Sequence, residues 1–186
     1  MNERECVVTY QDVLKFWFEE VEPRQWFVKD AGFDAVLRDR FLSLHQQAVQ
    51  CELYTWRLHP QGRLAEIIVL DQFSRNLFRN TSQAFASDAL ALGLAQEAVA
   101  LGADEALTAV QRGFLYMPYM HSESLAIHQQ AVVLYEKNGL ADNLQFELKH
   151  QDIIRRFGRY PHRNTILGRV STPEELVFLQ QVGSSF

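Results

Sequence analysis

The segment RRFGRYPHRN, Arg155 to Asn164, places four arginines and a histidine among two aromatic residues, a glycine and a proline. Arginine forks match the oxygens of carboxylates and phosphates, and a helix N-terminus adds backbone amides and the positive end of a dipole. Chemistry of this kind suits an anion. Gly158 is expected to stop a helix and Pro161 to hold Tyr160 extended, with Asn164 capping a short turn over TILG. Arg159, His162 and Arg163 would then point together near a new helix N-terminus. A basic loop paired with acidic helices is the blander alternative, but a solvated loop does not need the rigid Phe-Gly and Tyr-Pro steps.

Two other clusters carry polar groups where a helix should be apolar. In LDQFSRN, Leu70 to Asn76, helical spacing sets Asp71 and Arg75 on one stripe with Leu64 and Ile68. Asp71 thus sits among aliphatic side chains with Arg75 one turn on, which reads either as an ion pair at the edge of the core or as part of a pocket. In YMPYMHSES, Tyr116 to Ser124, Pro118 frees a carbonyl and should kink or end its helix. His121 and Glu123 follow, where a loop can aim both inward. His150 shares a stripe with Phe146, Ile153 and Phe157 and so also reads as a core histidine, a reading that His128, between Leu125 and Val132, fits more firmly.

Helices must position these groups, because the hydrophobic period is helical nearly throughout and no alternating strand pattern occurs. Thr9 with Asp12 opens a first helix. Others are expected from Phe33 to Leu53 and from Arg63 to Arg79. Ser87 should cap a fourth that ends near Gly102, and Thr108 with Gln111 a fifth that reaches Met120. A sixth should run from Ser122 to Gly139 and a seventh from Ala141 to Phe157. STPEE supplies a last start, with Thr172 as cap, Pro173 at the first helical position and Glu175 three residues after the cap. HQQAV occurs at His45–Val49 and at His128–Val132, and QEAVAL at Gln96–Leu101 aligns with QQAVVL at Gln129–Leu134. The second offset, 33 residues, is the spacing of stacked helix pairs of the tetratricopeptide type.

The chain has 186 residues, 47% of them hydrophobic, and is expected to form a single all-α domain spanning 1–186, with about eight antiparallel helices. A net charge of −5 argues against a nucleic-acid or anionic-membrane binder. Yet the stretch from Lys149 to Arg169 holds six Lys or Arg and one acid, Asp152. The N-terminus, MNERECVVTY, lacks the apolar core of a secretory leader, and no apolar run approaches a bilayer span, so a cytoplasmic location is expected. Cys6 and Cys51 form no motif and read as reduced thiols.

Taken in order, FWF…QWFVKD…FD, GRLAEIIVLDQFSRNLFR, Ala84 to Asp88 (AFASD), YMPYMHSES and HQDIIRRFGRYPHRNTILGRVSTPEE resemble an uncharacterised bacterial family, the domain of unknown function 924. The resemblance covers nearly the whole chain and implies a tetratricopeptide-like α-α superhelix. It implies no activity. The family pattern has proline where this chain has Ser74, and commonly an acid where it has Ser124.

The leading expectation is a concave inter-helix pocket lined by Asp71, Arg75, Asn76, His121, Glu123, His150, Arg156, Arg159, His162 and Arg163, floored by Tyr116, Trp17 or Trp26. Its partner would be a small molecule bearing a carboxylate or phosphate, clamped by Arg159 and Arg163. The alternatives are a scaffold for an acidic peptide and an acid–base or metal-dependent hydrolase. No HExxH or comparable metal spacing is present, so neither a metal nor a cofactor is expected.

Overall fold

The structure, a computed structural model, describes residues 8–185; Cys6 and most of the stretch on which the leader reading rests lie outside them. α1 (Tyr10–Lys15) opens with the expected capping box between Thr9 and Asp12 and passes into a π-helical turn over Phe16–Glu20. α2 (Ala31–Val49) begins at Asp30, whose carboxylate accepts from the amides of Gly32 and Phe33. It ends short of Leu53 because Cys51 turns to a φ of 59°.

α3 (Pro60–Ile68), a π-helical turn over Val69–Phe73 and α4 (Ser74–Leu77) make one nearly continuous rod where a single regular helix was expected. Pro60 starts it earlier than Arg63, since the first helical position needs no amide hydrogen. α5 (Asp88–Ala100) begins after Ser87, whose hydroxyl makes no capping bond. α6 (Ala109–Met120) has the capping box of Thr108 and Gln111, and it contains Pro118 instead of stopping there. Pro118 offers no amide to the Phe114 carbonyl one turn before it, and the helix ends two residues later, at Met120.

α7 (Leu125–Asn138) starts three residues later than Ser122, with Ser124 at its cap position, and stops at Gly139 with φ 78°. α8 (Ala141–Phe157) has the expected bounds and stops at Gly158, φ 68°; α9 (Pro173–Leu179) carries the capping box of Thr172 and Glu175. The described residues include no strand, so the chain is all-α. None of their helices is long and apolar enough to cross a membrane.

Short connections make α5, α6, α7 and α8 pack in sequence, so α6 and α8 run the same way side by side. The 33-residue echo has a structural counterpart here. Ala98 of α5 and Ala131 of α7, equivalent in the repeated stretch, are both fully buried where the small side chain lets the next helix approach. The main core joins α1, α2, the α3–α4 rod, α5 and α6 around Trp17, Phe41 and Phe73. A smaller cluster of Ile153, Ile154 and Tyr160, with Phe157 and Phe178, ties α9 to the end of α8.

Candidate functional site

The π-helical turn at Val69–Phe73 determines how Asp71 is presented. Turns of this type widen the helix locally and recur at functional positions. Asp71 is buried, 1% exposed, and its carboxylate accepts from His121 Nδ1 at 2.7 Å and from the Gln72 amide at 2.6 Å, with Arg75 at 3.2 Å. Burial alone would raise its pKa, but the Arg75 charge, with the hydrogen bonds from His121 and Gln72, outweighs that and holds the carboxyl well below the usual range. An ionised Asp71 can only accept, so His121 donates through Nδ1. Burial, then the Arg75 charge, pushes the His121 ring down toward its neutral form, which leaves Nε2 as an acceptor. Among the described residues no group hydrogen-bonds that Nε2.

Arg75 extends the network. Its guanidinium bonds both oxygens of Asp88, at 3.0 and 3.1 Å, and Asp88 also receives Arg163 at 3.3 Å. Two arginines therefore share one carboxylate. Arg163 is 6% exposed, its guanidinium lies 4.6 Å from the ring centroids of both Phe85 and Tyr160, and its Nε has no hydrogen-bond partner. Burial and the nearby Arg75 charge draw its pKa below the ordinary arginine value.

Tyr160 is the hub of the cluster. Its backbone amide donates to Glu123, its hydroxyl donates to the carbonyl of Met120, and its ring lies 5.7 Å from His150 and 5.5 Å from His162. Glu123 is also forked by Arg169 at 2.7 and 2.9 Å. Burial would raise the Glu123 carboxyl, but Arg169 and the Tyr160 amide hold it below its usual value. His150 Nδ1 donates to the Phe146 carbonyl at 2.7 Å. Burial pushes both His150 and His162 down to about 3, His162 also feeling the Arg163 charge.

Seven of the ten expected residues thus converge: Asp71, Arg75, His121, Glu123, His150, His162 and Arg163. Three lie elsewhere. Asn76 and Arg79 together hold Asp34 on α2. Arg159 forks onto Glu175 at 2.7 and 2.8 Å, and Arg156 pairs with exposed Glu174 while lying over Phe157, so these two arginines fasten α9 and do not clamp a ligand. Asn164 is fully buried and donates to Ser171 Oγ and Glu175 instead of capping a turn. Trp17 belongs to the main core, and the Tyr116 hydroxyl donates to Asp104. The rings that lie against Arg163 are those of Tyr160 and Phe85.

Asp88, Tyr160, Gln72, Phe85 and Arg169 were not singled out from the sequence. Asp88 and Phe85 lie within the AFASD motif that was noted, but nothing in its spacing says that Arg75 and Arg163 meet there. His128 is the core histidine expected, fully buried, with Nε2 on the Ser122 carbonyl at 2.8 Å and Nδ1 at 2.7 Å from Glu147. Among the described residues no three His, Cys, Asp or Glu side chains are arranged to hold a metal ion.

The profile of a family described as bacterial protein of unknown function (DUF924) matches residues 13–183. The chain belongs to the DUF924 family. A solved structure of a protein of unknown function from Agrobacterium tumefaciens is similar to this DUF924 chain, with 42% identity and a TM-score of 0.88, covering 92% of this chain and 96% of that one. No curated protein matches. The family and the fold are therefore shared, and neither comparison carries an activity to this DUF924 member.

Proposed function

We propose that the Arg75–Arg163 pair binds a small anion bearing a carboxylate or phosphate. The observation that carries this reading is the sharing of Asp88 by two arginines, one of them buried with an unpartnered Nε. A buried guanidinium is costly unless fully paired, and half of one carboxylate does not pair it fully. Asp71 does not make up the difference, because His121 and Gln72 also draw on it. An incoming anion would relieve the cationic excess and accept from Arg163, with the aromatic rings of Tyr160 and Phe85 fixing its orientation.

Titration calorimetry and thermal shift with inorganic phosphate and acetate test the reading. Saturable binding that raises the melting temperature, abolished in Arg163→Gln, is expected. Parent protein that binds neither anion, or an Arg163→Gln variant with unchanged affinity, refutes it.

The Asp71–His121 pair favours a second reading, general-base catalysis. A buried carboxylate on Nδ1 fixes the tautomer that leaves Nε2 able to take a proton from water or a substrate hydroxyl. Under this reading His121→Gln keeps anion binding and loses turnover of an anionic ester, whereas Arg163→Gln loses both.

A further inference from the structure

A cavity of about 240 Å³ lies where the 3₁₀ turn Ala103–Ala106, α6 and the end of α7 meet. Asp104, Glu105, Arg112, Tyr116, Lys137 and Asn138 line it, and none of them belongs to the Arg163 cluster. Arg112 is partly buried and is held by neutral oxygens alone. Its Nε donates to the Asn138 side-chain oxygen at 2.7 Å, and its Nη1 to the Leu107 carbonyl at 2.9 Å. Asn138 is fixed in turn, its amide donating to the Ala109 carbonyl at 2.9 Å. The guanidinium is thus aimed by groups that do not neutralise it. Among the described residues it forms no ion pair, and its Nη2 meets no acceptor.

Asp104 lines the same cavity and is 6% exposed. The Tyr116 hydroxyl donates to its Oδ2; burial and that bond raise the pKa of the phenol, so it keeps its proton. Oδ1 receives no donor among the described residues, and neither it nor Arg112 Nη2 is shut off from solvent. Arg112 and Tyr116 stand one turn apart on α6, about 6 Å along the axis. The Leu107 carbonyl that Arg112 holds follows the turn that carries Asp104. Two opposite charges therefore line one space without pairing with each other. At the rim, exposed Glu105 and Lys137 stand 3.8 Å apart. With two cations and two carboxylates in the wall, Asp104 and Glu105 oppose a simple anion, and Arg112 and Lys137 oppose a simple cation.

We propose that this cavity binds a free α-amino acid, its carboxylate accepting from Arg112 Nη2 and its ammonium donating to Asp104 Oδ1. A zwitterion satisfies both fixed charges and brings no net charge of its own into the site. The volume bounds its size. A cavity of about 150 Å³ takes up the six carbons of benzene, so this one has room for roughly ten non-hydrogen atoms. That admits the smaller amino acids and excludes tryptophan. Tyr116 and Asn138 are positioning residues, the first holding Asp104 and the second Arg112. The inference is independent of the anion reading above.

Titration calorimetry of the full chain with glycine, L-alanine, L-asparagine and L-leucine tests it. At least one is expected to bind saturably. The primary amide of that amino acid lacks the carboxylate and its des-amino acid lacks the ammonium, so each should bind about tenfold or more weakly. Asp104→Asn leaves an acceptor for the Tyr116 hydroxyl and should weaken the amino acid about tenfold or more, as should Arg112→Gln, whereas Arg163→Gln should leave its affinity within about twofold. Binding of none of the four, analogues that bind as tightly as the amino acid, or an affinity unchanged in Asp104→Asn overturns the assignment. Binding that is lost in Arg163→Gln and kept in Arg112→Gln also overturns it, because the carboxylate is then held at Arg163. The analogue comparison uses the parent protein, so it decides the matter even where a variant fails to fold.

Discussion

Protonation of His150 and His162 measures how strongly the folded cluster excludes charge. Burial pushes both rings down to about 3, from 6.5 for an unperturbed ring. Between those values the folded chain binds fewer protons than the unfolded one. The contribution to stability is therefore fully present above about pH 6.5 and is lost as the pH falls toward 3. With about 1.36 kcal/mol per pKa unit, acidification from pH 8 to pH 5 costs about 2 kcal/mol for each ring and about 4 kcal/mol for the two. Carboxylates, including Glu147, which burial raises, are common to parent and variant. Glu175, held down to about 2 by Arg159, loses its contribution only below its ordinary value of 4.5. Burial also displaces His45 and His121 downward, but they are common to parent and variant. Urea denaturation of the parent and of a His150→Gln/His162→Gln double variant, at pH 8 and pH 5, isolates the two rings. The parent should lose about 4 kcal/mol more than the variant on acidification. Equal losses would refute the claim that these histidines are folded in as neutral, desolvated groups.

Gly62→Ala should lower stability by about 1–3 kcal/mol, because a Cβ there would stand 2.1 Å from the Trp56 carbonyl oxygen, a backbone atom that cannot step aside; an unchanged denaturation midpoint would contradict that close approach. Glu175→Gln removes the charge and one of the two oxygens that accept from Arg159, Asn164 and the Thr172 amide, so amide exchange in α9 should quicken while α6–α8 keep their protection. If α9 exchanges as in the parent, Arg159 does not fasten it.

Much of the architecture is legible in short-range signals. The capping boxes at Thr9, Thr108 and Thr172, the glycines at 139 and 158 and the bounds of α8 all depend on residues within a few positions of one another. Departures have equally local causes with non-local consequences. The π-helical turn at Val69–Phe73 carries no obvious sequence mark, yet it presents Asp71 to His121, fifty residues away. Ser74 donates to the Leu70 carbonyl at 2.6 Å and meets His45 at 2.7 Å, contacts that a proline at this position could not make.

The arginines show most clearly what each level determines. Their number and the rigid Gly158 and Pro161 steps are properties of the sequence, and so is the expectation that some meet an acid. Which arginine meets which acid is a property of the packed chain. Arg156 and Arg159 face α9, where Glu174 and Glu175 satisfy them. Arg163, four residues on, is turned inward by the 3₁₀ turn at Pro161–Arg163 and meets Asp88, seventy-five positions earlier. Helical spacing assigns a side chain to a face. Only the docking of one helix on another decides whether that face meets water, an acid or an arginine already partly paired, because the energy of a charge depends on what surrounds it in space and not on its neighbours in sequence.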